Sequence, residues 1–232
     1  MTSVGTTNLI NRDQWLEVVL KAQPSGLELL DVGAGQQRNR KFCGHLNYTS
    51  QDFAQYDGKG DGRGLQTEQW DNSKLDIVSD ITQIPRLDES FDIILCTEVL
   101  EHIPQPLLAI KEFQRLLKPK GILIITAPFC SLTHFAPYHY YSGYNKYFYE
   151  HHLSQNGFQI MELNANGNYF EYLAQEIRRI PSIVRDYTPV KTNKIFGLIS
   201  RIMLKFLSKF STLDRGSNEL LCFGYHVRAV KQ

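Results

Sequence analysis

Leu29-Leu30-Asp31-Val32-Gly33-Ala34-Gly35-Gln36-Gln37-Arg38 reads as a short apolar strand running into a glycine turn and then a helix. Glycines after a buried strand let a ligand approach bare backbone, and amides at a helix start can donate to it. In nucleotide-type α/β folds the ligand sits at that junction. A Gly-x-Gly pair alone also fits an ordinary tight turn, so the neighbouring segments have to decide.

Working outward, Leu27 to Val32 is a first buried strand. A helix with Asn11 as its N-cap and Trp15, Val18 and Val19 as its apolar stripe precedes it and ends at Pro24-Ser25-Gly26. Arg38 to Gly44 reads as a short helix and Leu46 to Phe53 as a second strand. Gly58 to Gly64, with four glycines, reads as an exposed loop. Leu75 to Ser79 is a third strand, Ser90 to Thr97 a fourth, Pro106 to Lys118 a helix, and Ile122 to Ala127 a fifth strand. Helix (Asn145 to Asn156), strand (Phe158 to Leu163), a mostly helical stretch (Tyr169 to Phe210) and a last strand (Glu219 to Val230) follow. Alternating strands and helices imply a parallel sheet covered on both faces.

The chain has 232 residues, 42% of them hydrophobic and 21% charged, which suits one sizeable soluble domain. A formal net charge of +1 excludes whole-chain attraction to polyanions as the main binding force, and nucleic acid is not an expected partner. Cys43, Cys96, Cys130 and Cys222 are far apart and form no Cys-x-x-Cys pair, so reduced thiols are expected and no metal-ligand motif is read from them. The polar stretch Met1 to Asn8 lacks an apolar signal segment, which gives a cytoplasmic expectation.

Asp52 closes the second strand about 20 residues after the glycine turn, where a carboxylate can accept two hydrogen bonds from a ribose diol. A dinucleotide fingerprint would need Gly or Ala where Arg38 stands, for close helix–strand packing. A nucleotide-cofactor oxidoreductase is therefore the weaker reading.

Asp31-Val-Gly33-Ala-Gly35, Ser79-Asp80-Ile81-Thr-Gln-Ile84-Pro85, Ser90-Phe91-Asp92-Ile93-Ile94, Glu98-Val99-Leu100-Glu101-His102-Ile103-Pro104 and Leu116-Leu117-Lys118-Pro119-Lys120-Gly121 follow one another in order. Together they resemble the class I S-adenosylmethionine-dependent methyltransferases of the methyltransferase-11 type, over roughly Leu27 to Phe129. The resemblance implies an α/β, Rossmann-like, doubly wound sheet of seven strands, mostly parallel with an antiparallel last strand and a helical insertion before it. It implies one methyltransferase domain over 1–232: an N-terminal helical segment (1–26), a cofactor-binding core (27–164), a helical cap or insertion (165–218) and the last strand (219–232).

The resemblance also implies roles. Gly33 and Gly35 would line the methionine end of S-adenosylmethionine, Asp31 would support the turn, and Asp52 would hold the ribose hydroxyls. Phe53 would pack beside adenine, Asp80 would meet its amino group, Ile81 would lie against its ring, and Thr97 would border the methionine. The family often has a third glycine where this chain has Gln37, which could change the turn.

Between Pro128 and Tyr149 the chain is crowded with rings, and loops at the carboxyl ends of parallel strands form the ligand crevice. Phe135, Tyr138 and Tyr141, with His102, are the candidate wall for a small-molecule or glycan-type acceptor. His134 and His139 are candidate general bases for an acceptor hydroxyl. Methyl transfer to oxygen is the reading carried forward. Transfer to nitrogen or carbon, and a non-catalytic ligand-binding protein on the same fold, stand beside it. The sequence is silent on oligomeric state.

Two further stretches imitate other functions. Asp57 to Glu68 partly matches a calcium loop, but Lys59 stands at a ligand position, so a flexible loop without metal is expected. Lys191 to Phe210 is basic and amphipathic and can lie on an anionic membrane surface. Most such helices instead turn their apolar side to their own core, which is the expectation here.

Overall fold

The computed structural model describes residues 2–232. In chain order its elements are α1 (Asn8–Lys21), β1 (Glu28–Val32), β2 (Asn47–Asp52), β3 (Ile77–Val78), β4 (Phe91–Thr97) and α2 (Pro106–Leu116). β5 (Leu117–Pro128), α3 (Lys146–Gln155), β6 (Phe158–Asn166), α4 (Tyr169–Tyr187), α5 (Lys194–Thr212) and β7 (Gly224–Lys231) complete it. The seven strands form one sheet in the order β3-β2-β1-β4-β5-β7-β6. β1, β2, β3, β4 and β5 pair in parallel, while β7 runs antiparallel to β5. This is the doubly wound sheet with a reversed last strand that the sequence implies. Strand order turns around between β1 and β4, so the carboxyl ends of these two strands open a crevice.

Two compact units divide the chain. The larger, Gln14–Asn164 with Gly224–Gln232, holds nearly all of the sheet. Leu29, Leu30, Ile93, Ile94 and Leu95 are fully buried at its centre. Each such side chain contributes about 1.5–3 kcal/mol by leaving water. α2 presents Ala109, Ile110, Phe113 and Leu116 to the core. Its Glu112 is also buried, ion-paired to Arg115, and its Oε1 accepts from the Ile84 amide at 2.7 Å. The Ser79–Pro85 stretch is thereby tied down beside β3.

The second unit is Ala165–Phe223 with the N-terminal stretch up to Asp13. Within it, Leu204 and Leu207 of α5 pack with Phe170, Leu173, Ala174 and Ile177 of α4 and with Val4. Phe210 adds a ring contact to Phe170 with centroids 5.7 Å apart. Ile195, Leu198, Ile199, Ile202, Phe206 and Phe210 are exposed, contrary to the core-facing expectation for this helix.

Three local readings need correction. α1 begins at Asn8, so Asn11 is not its cap; it lies inside the first turns and donates to Asn166 Oδ1. Leu16, Val19 and Leu20 form the buried face of α1, and Val18 is exposed. Third, no α-helix follows the glycine turn: turns lead to a single 3-10 turn, Arg40–Phe42. Gln37 takes a left-handed φ of 55°, which ends any helix starting at Gly35.

Candidate cofactor and acceptor site

A cavity of about 570 Å³ opens at the β1/β4 crevice, inside the larger unit. Its floor begins at Gly33, whose φ is +65°; an added Cβ would stand 2.4 Å from Val99 Cγ2. Only glycine satisfies both the dihedral and the contact. The next amides are held from β2: Ala34 N donates to Gln51 O, and Gly35 N donates to Asp52 Oδ2 at 2.9 Å. Asp52 Oδ1 accepts from Ala54 N, also at 2.9 Å. Each carboxylate oxygen thus spends one acceptor position on the backbone and keeps another. Burial raises the Asp52 pKa against the lowering effect of these amides.

Asp52, Phe53, Asp80 and Ile81 line the cavity, with Val78 beside them. Asp80 also holds its own turn, accepting from Thr82 N and Thr82 Oγ1. Gln51 is a lining residue that sequence reasoning missed. It is buried, its amide nitrogen donates to Ser79 O, and its Oε1 has no hydrogen-bond partner. A buried acceptor left unpaired at a cavity wall suits a ligand that carries donors, such as an adenine amino group or ribose hydroxyls.

Other expected residues stand behind the wall. Thr97 is not among the lining residues; its Oγ1 accepts from Asn39 Nδ2 at 3.0 Å. Asp31 is buried under the turn. Its Oδ2 accepts from Tyr48 Oη across the sheet, and burial drives its pKa up to about 7. It therefore braces β1 against β2 and caps no local amides. Gly35 lies beneath Trp70, a second residue the sequence reading missed.

Trp70 follows the glycine-rich segment, whose residues Lys59 to Arg63 are exposed as expected while its backbone is tied to the stretch after β5. Leu65 N donates to Thr133 O, Phe135 N donates to Leu65 O, and Asp61 N donates to Ala136 O. A Cβ on Gly60 would lie 2.0 Å from Ala136 O, so glycine spacing here serves a close backbone approach. The calcium-like acid Asp57 is spent on a turn, accepting from Lys59 N and Gly60 N. Tyr56 stacks on Phe135 with centroids 4.7 Å apart, and Trp70 meets the same ring edge-on at 5.5 Å. The segment thereby builds one side of the cavity.

The opposite wall comes from the ring-rich stretch after β5. Phe135, Tyr138 and Tyr140 line the cavity with Glu98 and His102, and Phe53 meets Tyr138 edge-on. Tyr141 does not; its hydroxyl donates to Pro104 O. This stretch is clamped to the 3-10 turn Leu100–His102: Tyr140 N and Tyr141 N donate to Glu101 O, and Tyr144 Oη donates to Leu100 O. His134 and His139 also stand behind the wall, and His102 is the histidine that reaches it. The three rings cluster with centroid separations of 4.6, 4.7 and 5.8 Å. Burial, with His134 and His139 nearby, pushes the His102 pKa down to about 3. Burial also lowers the pKa of His139.

Comparison with known proteins agrees with this geometry. Residues 30–125 match the model of a family described as a methyltransferase domain. A ubiquinone biosynthesis O-methyltransferase of Haemophilus ducreyi is 47% identical over 38 residues, a stretch covering only 16% of this chain and 16% of that protein. Among solved structures, an S-adenosylmethionine-dependent methyltransferase from Archaeoglobus fulgidus superposes with a TM-score of 0.57 at 14% identity, covering 96% of this chain and 94% of its own. A putative sarcosine dimethylglycine methyltransferase from Galdieria sulphuraria gives 0.53 at 16% identity, with 96% and 85% covered. The matched span runs from β1 into β5 and carries the glycine turn, Asp52, Asp80 and the Glu98–Pro104 stretch. Residues 30–125 thus resemble a methyltransferase domain, and the chain as a whole shares its fold with solved methyltransferases.

Proposed function

We propose that this protein transfers a methyl group from S-adenosylmethionine to an oxygen of a small-molecule or glycan-type acceptor. The observation that carries the cofactor half is the β1/β2 corner. There Gly33 is bare backbone, Asp52 keeps acceptor capacity on both oxygens, and Gln51 Oε1 is a buried unpaired acceptor, all on one cavity wall. Phe53, Val78 and Ile81 supply apolar surface for a purine beside these polar atoms. The turns after Gly35 offer no helix start for a pyrophosphate, which weighs against a dinucleotide.

S-adenosylmethionine, when bound, supplies an electrophilic methyl on a sulfonium. The chain's own residues would have to hold the acceptor oxygen in line with that methyl and give the acceptor's proton a way out. Tyr138, Tyr140 and Phe135 would orient the acceptor, with Glu98 and His102 as the polar groups at that wall. Alignment alone can supply much of the acceleration, since the reacting atoms need to be held near about 3 Å. The base role proposed for His134 or His139 needs a rearrangement or a proton relay through His102, because neither lines the cavity.

Calorimetric titration with S-adenosylmethionine and, separately, with NAD tests the cofactor half. Binding of the first and not of the second is the expected result; tight NAD binding overturns the reading. A screen of hydroxylated, aminated and glycan acceptors for a gain of one methyl mass tests the acceptor half, and methylation confined to nitrogen would refute transfer to oxygen.

A further inference from the structure

We propose that Glu101, His102 and His134 form a binding site for a divalent first-row cation such as Zn²⁺ at the acceptor end of the cavity. The inference extends the methyl-transfer reading by adding a metal to the acceptor side of the same site. The three residues each bring one ligand atom, and these atoms all lie within 4.8 Å of one another. Glu101 Oε1 is 3.8 Å from His102 Nε2 and 3.9 Å from His134 Nε2. An ion holding ligands at about 2.1 Å and tetrahedral angles would space them about 3.4 Å apart. The two gaps to Glu101 would close by about half an ångström and the His102–His134 gap, at most 4.8 Å, by up to about 1.4 Å, through side-chain torsions.

Protonation states support the same conclusion. His102 Nδ1 bonds to Tyr138 O, and His134 Nδ1 bonds to Leu132 O at 2.9 Å. A carbonyl can only accept, so both Nδ1 atoms carry protons and donate them. That tautomer turns each Nε2, as an acceptor, towards the buried Glu101 carboxylate. Two imidazole nitrogens and a carboxylate converging in one buried pocket are a donor set that a divalent cation can share. Backbone carbonyls holding Nδ1–H of ligating imidazoles are also the usual outer support of a metal site. Two imidazoles with one carboxylate suit Zn²⁺ and neighbouring divalent ions, and three protein ligands leave a position open. His102 belongs to the cavity wall, so that open position would serve the acceptor's oxygen and ease loss of its proton to solvent.

Titration of metal-stripped full-length protein with Zn²⁺ by calorimetry, and with Co²⁺ by visible absorption, tests the site. One tight Zn²⁺ equivalent is expected, with Co²⁺ bands typical of a low-symmetry nitrogen/oxygen site. His134→Gln should weaken Zn²⁺ more than the roughly 10–100-fold lost when an outer support is removed. The doubly substituted His151→Gln/His152→Gln protein should bind as the wild type does. No stoichiometric Zn²⁺ in the wild type, or loss only in the His151/His152 variant, overturns the proposal. S-adenosylmethionine titrated in the same stripped protein keeps the two readings apart: binding without metal leaves the cofactor reading standing while the metal proposal falls.

A separate observation carries a second proposal: we infer that α5 docks on an anionic lipid surface. Its exposed apolar residues Ile195, Leu198, Ile199, Ile202, Phe206 and Phe210 span an arc of about 120° at 100° per residue. Leu204 and Leu207, on the other side, pack against α4, and Phe210 at the edge of the stripe also meets Phe170. Lys194, Arg201 and Lys205 border one edge of the stripe and Lys209 lies within it, and the helix contains no acidic residue. That charge pattern is complementary to anionic headgroups, each basic residue near the surface contributing about 1 kcal/mol. No helix among the described residues is long and apolar enough to cross a membrane, so the geometry is docking in the interface plane.

Sedimentation with vesicles of 30 mol% phosphatidylglycerol, compared with pure phosphatidylcholine, tests it at low and high salt. Binding that needs the anionic lipid, falls with salt and is lost in Ile199→Asp/Phe206→Asp is the expected result. Circular dichroism and a retained S-adenosylmethionine titration show that the variant is folded. Equal recovery on both vesicle types, or a solution dimer that the same double variant splits without any vesicle binding, refutes the lipid assignment.

Discussion

Asp31→Asn should change how stability depends on pH, because the wild-type carboxyl ionises at about 7 in the folded protein, against 3.8 for the free group. Desolvation is the main cause; the Tyr48 hydroxyl bond opposes it and the Asp52 charge adds to it. With the folded pKa raised, the native state binds more protons than the unfolded state between about pH 4 and pH 7. Stability therefore falls as pH rises through that window. The whole effect is about three pH units at 1.36 kcal/mol each, or about 4 kcal/mol. Between pH 5 and pH 8 the part still to be lost is about 2.6 kcal/mol. Asparagine keeps the shape and the acceptor for Tyr48 but does not titrate. Urea unfolding of both proteins at pH 5, 6, 7 and 8 should thus show the variant gaining roughly 2–3 kcal/mol on the wild type from the lowest pH to the highest. A constant difference would mean that Asp31 is ionised throughout, and the desolvation argument for this position would be wrong.

Other outcomes follow from single contacts. Gly33→Ala meets Val99 at 2.4 Å and a φ of +65°, so it should lose about 1–3 kcal/mol in thermal unfolding and weaken S-adenosylmethionine at least tenfold. Adding Val99→Ala should recover part of the stability but not the dihedral cost. Asp52→Ala removes the acceptor of both Gly35 N and Ala54 N, and calorimetry should show a larger affinity loss than for Asp52→Asn, which can still accept at one oxygen. Gln51→Leu removes the unpaired acceptor but also the bond of its amide to Ser79 O; weaker cofactor binding of about tenfold is expected, with a stability loss of about 0.5–1.5 kcal/mol. Unaltered affinity in Gln51→Leu would mean that its oxygen does not face the cofactor.

Much of the fold was legible because its signals are local and repeated. β1, β4 and β5 are apolar runs buried on both faces, and α2 repeats its apolar face at helical spacing. Asp52, Phe53, Asp80 and Ile81 line the cavity because strand ends place them at the crevice directly. The misses are tertiary. Trp70 and Tyr56 reach the cavity only because the Gly58–Gly64 segment pairs its backbone with Thr133–Ala136, which glycine spacing alone does not announce. Gln51 faces the ligand wall because its amide is spent on Ser79, a contact invisible along the chain. The histidines are a tertiary matter too: His134 and His139 follow β5 closely, but the bonds of Tyr138–Tyr141 to Leu100–His102 bring His102 to the cavity wall, which the other two do not line.

Gln37 shows how a departure from a motif can be absorbed. At this position a glycine would reach the left-handed region without cost, whereas glutamine at φ 55° carries a penalty of roughly 1–2 kcal/mol. Its side chain answers that cost at both ends: Nε2 donates to Lys74 O at 2.7 Å and Oε1 accepts from Arg40 Nη1 at 2.8 Å. Neutral hydrogen bonds of this kind contribute about 0.5–1.5 kcal/mol each, the charged one somewhat more, less what exposure removes. The turn is therefore kept by side-chain bonding where backbone freedom is lacking, and it is anchored to the chain just before β3. The same conformation prevents a helix after Gly35, so the amides of Ala34 and Gly35 are aligned by Gln51 and Asp52 of β2 instead of by a helix start. In this protein the cofactor corner is consequently a property of the β1–β2 pair, and changes in β2 should disturb it as much as changes in the glycine turn.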